Sequence, residues 1–528
     1  MENKDDDMVI KEGKNIHGTV NEAPDVCIIG SGAAGAILAW ELAERNHTVV
    51  VLEKGGYYAR NKERNDFTQK EDEMIPALYK NAGLQFAVPA GIAIAQGSCV
   101  GGSTVVNDAV CFRTPDEVLE NWKEKHKIEH ISSSDMDEYF VKVEKRISVS
   151  KVQSNEINKN NQMLQKGCDI LKWTAGPNFR NCKECRQCGL CHLGCYYGTK
   201  QSMLETYIRD IEERYDENQV KIFANCQAEK IIVSGDRVSG VKGEITGNNG
   251  HKFMISVKPK LLIISAGAIS SSELLLRNGL DRKHLVGRYV SLHPSPAIVG
   301  HFNDEINGHQ GIPFAYHCSE FSILKTKKPG YMIESVFLPP YQFTLSLPAF
   351  QYEHKEMMHN YNHYAMAGIL LQDEPVGEII LGGPIGTIIN YELSSKDSKK
   401  MMEGMEKTAR IFFAAGADHV ITSHRKKTIL YSEHDFPLIE ERGVGPWDIN
   451  LGSAHPQGGN RMGGESRSDF SVVNSYCKFY GIENLFVCDA SVFPTSVGVN
   501  PQITVMALAV RAAKYIGENW DKLVRYSG

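Results

Sequence analysis

Five cysteines stand within fourteen residues in CKECRQCGLCHLGC, residues 182–195, and only eight more are spread over the rest of the 528-residue chain. Cys185, Cys188, Cys191 and Cys195 follow C-x₂-C-x₂-C-x₃-C, and Cys182 adds one more x₂ step in front. Thiolates at that spacing can wrap a [4Fe–4S] cubane, because each short loop turns backbone N–H groups toward sulfur. Paired C-x₂-C elements can instead close a tetrahedral Cys₄ zinc site. The third account is a metal-free, tightly packed loop. The spacing ranks iron–sulfur first, the metal-free loop second and zinc third. Tyr196 stands where proline usually closes such a run, and a single cluster usually takes a remote fourth ligand. Cys182 replaces that ligand, or Cys168, Cys226 or Cys318 provides it. His192 lies among the cysteines, and its position assigns it no role. Thirteen cysteines, odd in number and clustered, fit a reducing cytoplasm better than a disulfide framework.

A second constellation lies near the N-terminus. In DVCIIGSGAAGAILAWELAERNHTVVVLEKGG, Gly30, Gly32 and Gly35 form G-x-G-x-x-G between an apolar strand and a helix. The first glycine permits the tight turn, the second lets backbone approach a pyrophosphate, and the third seats the helix on the sheet. The helix N-terminus then offers free N–H groups to phosphate. Glu53 ends the next strand, 18 residues beyond Gly35, where a carboxylate accepts hydrogen bonds from an adenosine ribose. Taken alone, this unit leaves FAD and NAD open.

These sites need a large framework. The chain is 42% hydrophobic and 23% charged with a net charge of −6, ordinary for a soluble globular protein and without general attraction for nucleic acid. No run of 18 apolar residues occurs, so no spanning helix is expected. The start, MENKDDDMVIKEGKN, reads as neither secretory signal nor transit peptide but as part of a flexible tail over residues 1–20. Residues 158–162 read as an asparagine-rich loop, and LPPYQFTLSLPAF as the wall of an apolar pocket or as core.

Four stretches in order resemble the glucose–methanol–choline (GMC) oxidoreductase family: the N-terminal βαβ unit, GSCVGGSTVVNDAV, HPQGGNRMG and DASVFPTSVGVNPQ. LHPSPAIVGHF and ARIFFAAGADHV are more similar to its long-chain alcohol oxidase branch. The resemblance implies an α/β fold with an α+β lobe: a Rossmann-like FAD domain built from both chain ends, with an inserted antiparallel-sheet substrate domain. On that reading residues 21–115, 201–285 and 451–528 form the FAD domain. Residues 116–200 form a cysteine-rich part of the substrate lobe, and 286–450 the substrate domain.

The same resemblance implies FAD and oxidation of an alcohol by hydride transfer, which needs a base beside the hydroxyl. His455 matches the family's active-site histidine, and Asn500 the second active-site position, where asparagine orients the oxygen but takes no proton. Gly101, Gly102, Ser103 and Asn107 match the segment beside the isoalloxazine, Asp489 and Ala490 the ribityl–pyrophosphate region, and Ala266 and Gly267 the adenosine side. Asn500 and Pro501 would start a helix aimed at the flavin's pyrimidine edge. His293 is family-like, with a structural role preferred. The implied partners are a bulky or long-chain alcohol and an electron-acceptor protein or quinone. The implied location is the cytoplasm, or a membrane surface bound peripherally. Two other functions compete: an isomerase or hydratase with structural FAD, and an electron-transfer protein carrying flavin and cluster.

Overall fold

The computed structural model describes residues 8–61, 63–383 and 386–525. At its centre is a sheet ordered Ile10–Lys11, Val220–Phe223, Val49–Leu52, Val26–Ile29, Leu261–Ile264, Leu485–Val487, with every neighbouring pair parallel. Val26–Ile29, Val49–Leu52, Leu261–Ile264 and Leu485–Val487 are buried along their whole length, as strands covered on both faces must be. Helix Gly35–Ala43 is also buried throughout, and the C-terminal helix Gln502–Glu518 lies against it. The sheet therefore draws on both ends of the chain.

Three expectations fail here, each for a local reason. The flexible tail stops short, because Val9 and Ile10 are buried and Ile10–Lys11 extends the parallel sheet; residues 1–7 lie outside the described part. Residues 116–147 do not belong with the substrate lobe. The apolar stripes of Asp116–His126 (Val118, Leu119, Trp122) and Ser133–Arg146 (Met136, Phe140, Val143) join the core of the parallel-sheet domain, the second helix lying on Gln502–Glu518. An amphipathic helix announces that it has a buried face, but not which face of the protein will cover it. The asparagine-rich stretch begins helix Lys159–Leu171: the Asn158 side chain accepts from the Asn161 N–H at 3.0 Å, a standard N-cap. Asn160 and Asn161 are buried and donate to the carbonyls of Val336, Met366 and Ile312.

The lobe is a seven-stranded, wholly antiparallel sheet ordered Ile429–Leu430, His419–Ile421, Ala297–His301, Tyr364–Leu371, Tyr331–Ser335, Tyr316–Cys318, Ala175–Pro177. Helices Lys159–Leu171 and Ser395–Ala415 cover one face. Tyr331 and Ile333 join the core under those helices, so Met332 and Glu334 point to the other face. Pairing of Met332 with Leu370 and of Glu334 with Gly368 places all four on that face. In the aromatic stretch, Phe343 is core among Phe337, Tyr361 and Tyr364, whereas Tyr341, Leu345 and Phe350 are exposed. A second, mixed sheet joins lobe to parallel-sheet domain and carries strand Leu451–Ser453, which leads into His455. Among the described residues no helix is long and apolar enough to cross a membrane.

Candidate active site and cysteine loop

The two glycine-rich segments meet face to face. Gly102 has φ +57°, and a Cβ added there would lie 2.7 Å from the Gly32 Cα, so neither a side chain nor a left-handed penalty is tolerable. A Cβ on Gly32 would meet nothing closer than the Gly102 Cα at 3.8 Å, which leaves open space at the turn. Gly30 makes the turn with φ +98°, and Gly35 sits so close that its Cβ would lie 1.9 Å from the Gly30 carbonyl oxygen. Glu53 closes the arrangement. Its carboxylate accepts from the Ser31 N–H (2.9 Å), the Ser31 hydroxyl (2.7 Å) and the Gly55 N–H (2.8 Å), while Ser31 Oγ accepts from the Gly101 N–H at 3.1 Å. Burial raises the Glu53 pKa and these hydrogen bonds oppose it.

Asp489 plays a similar part at the far strand. It accepts from the Gly267 N–H (2.9 Å), Ser271 Oγ (2.5 Å) and the Ser491 N–H (2.8 Å), with its pKa raised by burial. The Ala266 N–H donates to Ser271 Oγ at 3.0 Å. Close by, the Asn460 N–H donates to the Ser491 carbonyl, yet both side-chain polar atoms of Asn460 and the Ser491 hydroxyl are buried without a protein partner. Ser103 Oγ accepts from the Gly97 N–H, and Asn107 donates to Gln502 Oε1 at 3.0 Å.

His455 follows strand Leu451–Ser453, its N–H donating to Ser453 Oγ at 3.3 Å. Its ring meets His293 edge-on with centroids 5.5 Å apart, and His293 Nε2 accepts from the Gly498 N–H at 3.2 Å. Gln457 Oε1 takes the Val497 N–H, and Gln372 Nε2 donates to the Ser496 carbonyl, so three side chains hold the loop leading to Asn500. Pro501 then precedes helix Gln502–Glu518. Asn500 Nδ2 donates to Glu334 Oε2 at 3.5 Å, a long bond, while Asn500 Oδ1, Glu334 Oε1 and His293 Nδ1 are buried and unpartnered. Although part of His455 reaches a surface, protein surrounds the ring, and burial pushes its pKa down to about 4. Burial pushes Glu334 up to about 7. The sequence reading did not find Glu334, which lies in no motif. Gln457 and Asn460 were inside a quoted motif and were passed over.

The five cysteines line one cavity together with Tyr197, Lys200, Gly311 and Ile312. Cys168, Cys226 and Cys318 are not in it: Cys226 is buried beside Glu53 and Cys27, while Cys168 and Cys318 pair with each other in the lobe core. The remote-ligand expectation is therefore corrected, because the sheets that hold these residues place them elsewhere. No trio of cysteine sulfurs gathers within 4.8 Å among the described residues, whereas four sulfurs on one zinc lie only about 3.8 Å apart. The Gln187 N–H donates to Cys185 Sγ (3.5 Å) and the Lys200 N–H to Cys195 Sγ (3.4 Å). Two buried cations face the loop. Arg180 Nη2 donates to Cys191 Sγ at 3.2 Å, and its Nε to the Asp108 carbonyl. Lys200 Nζ donates to the carbonyls of Cys191 (2.8 Å), Val105 (2.7 Å) and Asn107 (2.6 Å), tying the loop to the segment after Gly102. Contact with Cys182, aided by Arg180, lowers the Cys185 thiol to about 5, whereas burial raises Cys191 to about 12. His192 is buried, its Nε2 unpartnered, and desolvation pushes it down to about 3.

Family models described as GMC oxidoreductase match residues 75–295 and 381–509, and one described as FAD dependent oxidoreductase matches residues 25–65. The chain belongs to the GMC oxidoreductase family. A long-chain-alcohol oxidase of Arabidopsis thaliana, FAO4A, is 30% identical over 505 residues, covering 92% of this chain and 67% of its own length. The uncharacterized GMC-type oxidoreductase y4nJ of Sinorhizobium fredii is 28% identical over 512 residues, covering 96% of this chain and 97% of its own. Among solved structures, pyridoxine 4-oxidase from Mesorbium loti superposes with a TM-score of 0.68 at 16% identity, covering 93% of this chain and 98% of that one. Formate oxidase superposes with a TM-score of 0.67 at 15% identity, covering 96% and 100%. This GMC oxidoreductase thus has the expected α/β flavoenzyme fold. The open turn at Gly32 and the orphaned polar atoms of Asn460 and Ser491 fit a large polar cofactor, FAD in this family.

Proposed function

We propose that this GMC oxidoreductase oxidises the CH–OH carbon of a bulky or long-chain alcohol to an aldehyde or ketone. The grouping of Asn500, Glu334 and His293, with His455 edge-on to His293, carries the reading: Asn500, Glu334 and His293 each bring a buried, unpartnered polar atom, and Glu334 lies on the sheet face bearing Met332 and Leu370. Gly30, Gly32 and Gly35 with the following helix would hold the pyrophosphate of FAD. Glu53 would hold the adenosine ribose, and Asp489, Ala490 and Asn460 the ribityl side. Bound FAD supplies the hydride acceptor. His455, neutral at pH 7 because burial holds its pKa near 4, takes the hydroxyl proton as the carbinol C–H bond breaks. Asn500 Nδ2 donates to the alcohol oxygen and fixes its orientation. Glu334 holds that amide and, with a pKa about 7, is a second proton acceptor better matched to neutral pH. Anaerobic mixing with alcohols of graded chain length tests this. Bleaching of the flavin by alcohol supports it, whereas unchanged flavin with every alcohol would favour an isomerase or hydratase.

The cysteine loop adds an electron exit to this reading. Arg180 and Lys200 are buried and make no close ion pair with a carboxylate among the described residues; the buried Asp108 carboxylate lies near both, and cysteine thiolates beside Arg180 would supply the rest of the balancing charge. Four thiolates around a [4Fe–4S] cluster would meet that demand. Such a cluster supplies one-electron chemistry and makes the enzyme a dehydrogenase serving a protein or quinone acceptor. Thirteen free cysteines suit the cytoplasm or a membrane surface facing it. Iron analysis with a visible spectrum of anaerobically purified protein tests this; flavin bands without iron would return the enzyme to direct reoxidation by oxygen.

A further inference from the structure

Away from the cofactor domain, strands Ala297–His301 and His419–Ile421 run antiparallel with His301 directly opposite His419. Directly opposed residues share a face, and the two imidazoles stack with centroids 4.7 Å apart. Asp418 precedes His419, and its N–H donates to the His301 carbonyl at 3.0 Å, which brings the carboxylate back over both rings. His301 Nδ1 lies 2.8 Å from Asp418 Oδ1, and His419 Nδ1 lies 3.3 Å from Asp418 Oδ2. These ligand atoms all fall within 4.8 Å of one another, and no other trio of His, Cys, Asp or Glu does so among the described residues.

We propose that His301, Asp418 and His419 form a binding site for one borderline divalent transition-metal ion, Zn²⁺ or a similar cation. An ion with bonds of ~2.1 Å sets its donor atoms about 3.0–3.4 Å apart; the His419–Asp418 separation of 3.3 Å matches that, and the His301–Asp418 pair at 2.8 Å would open slightly to admit the ion. Two imidazole nitrogens and one carboxylate oxygen select such an ion over Mg²⁺ or Ca²⁺, which prefer all-oxygen shells. On binding, each Nδ1 presents a lone pair, any proton there moves to Nε2 or to solvent, and water completes the shell. The side chains are 15%, 43% and 20% exposed for His301, Asp418 and His419, which admits an ion yet leaves the imidazoles largely fixed by protein.

The site lies apart from the chemistry. Ser295 exchanges hydrogen bonds with Gly452 near His455, and the six steps from Ser295 to His301 span about 20 Å at ~3.3 Å per step. The ion would pin two neighbouring strands at the outer end of the substrate lobe. Its role is to fasten that end, in the way any ligand specific for the folded state stabilises it.

The test is zinc K-edge absorption of the FAD-loaded protein with one equivalent of Zn²⁺, together with its thermal midpoint. A nitrogen/oxygen shell near ~2.0 Å differs from a sulfur shell near ~2.3 Å, so the cysteine loop is distinguishable as the binder. We expect a nitrogen/oxygen shell with imidazole scattering, a midpoint raised by several degrees, and at least tenfold weaker binding in His301→Ala and His419→Ala. Asp418→Asn, conservative and half-exposed, should weaken binding while preserving the zinc-free midpoint. A shell of sulfur alone in the wild type, or an unchanged nitrogen/oxygen shell in the His301→Ala/His419→Ala double variant, overturns the proposal.

Discussion

Asn500 and Glu334, 166 residues apart in the chain, meet across a 3.5 Å hydrogen bond that leaves Asn500 Oδ1 and Glu334 Oε1 buried and unpartnered. A buried carboxyl in that setting responds to pH. Its folded-state pKa, about 7, lies above its ordinary 4.5, so the folded protein holds the proton more tightly than the unfolded chain does. Stability should therefore fall as pH rises from about 4.5 to 7, by about 3 kcal/mol at 1.36 kcal/mol per unit, and level off above 7. Urea unfolding of Glu334→Gln between pH 5 and 8.5 should lack this slope. Equal slopes in variant and wild type would exclude Glu334 as the group responsible.

Removing the base should slow chemistry without releasing FAD. His455→Ala is expected to reduce the rate of anaerobic flavin reduction by alcohol about 10²–10⁴-fold. Asn500→Ala should cost about 10²-fold through lost orientation of the oxygen. Stopped-flow absorbance at saturating alcohol gives both rates, and the flavin-to-protein absorbance ratio should stay at the wild-type value.

The glycines separate ligand space from packing space. Gly32→Ala meets no protein atom closer than 3.8 Å, so the chain should fold and lose FAD content. Gly35→Ala would drive a Cβ to 1.9 Å from the Gly30 carbonyl oxygen and should abolish soluble expression. Circular dichroism and flavin absorbance on the two variants read the difference directly.

The cysteine loop predicts iron. Anaerobically purified protein should hold about four irons per chain with a broad absorbance near ~400 nm, and Cys191→Ser should lose most of both. Arg180→Gln removes a buried donor from Cys191 Sγ and should lower the midpoint potential of any iron retained, measured by redox titration.

Local spacing determined much of this protein. The G-x-G-x-x-G turn, the acid at Glu53, the cysteine run and the motif containing His455 are contiguous, and their chemistry depends on neighbours a few residues away. Short apolar runs identified the buried parallel strands for the same reason, since burial on both faces leaves no polar alternation. Tertiary structure alone decided which face met which. Glu334 lies in strand Tyr331–Ser335, and that it rather than its neighbours reaches Asn500 depends on helices Lys159–Leu171 and Ser395–Ala415 claiming the opposite face. Arg180 and Lys200 are ordinary charged residues in the chain and become buried cations only where the folded loop closes around them. His301, Asp418 and His419 converge because two strands over a hundred residues apart pair in one register, and one step of slip would turn the two histidines to opposite faces.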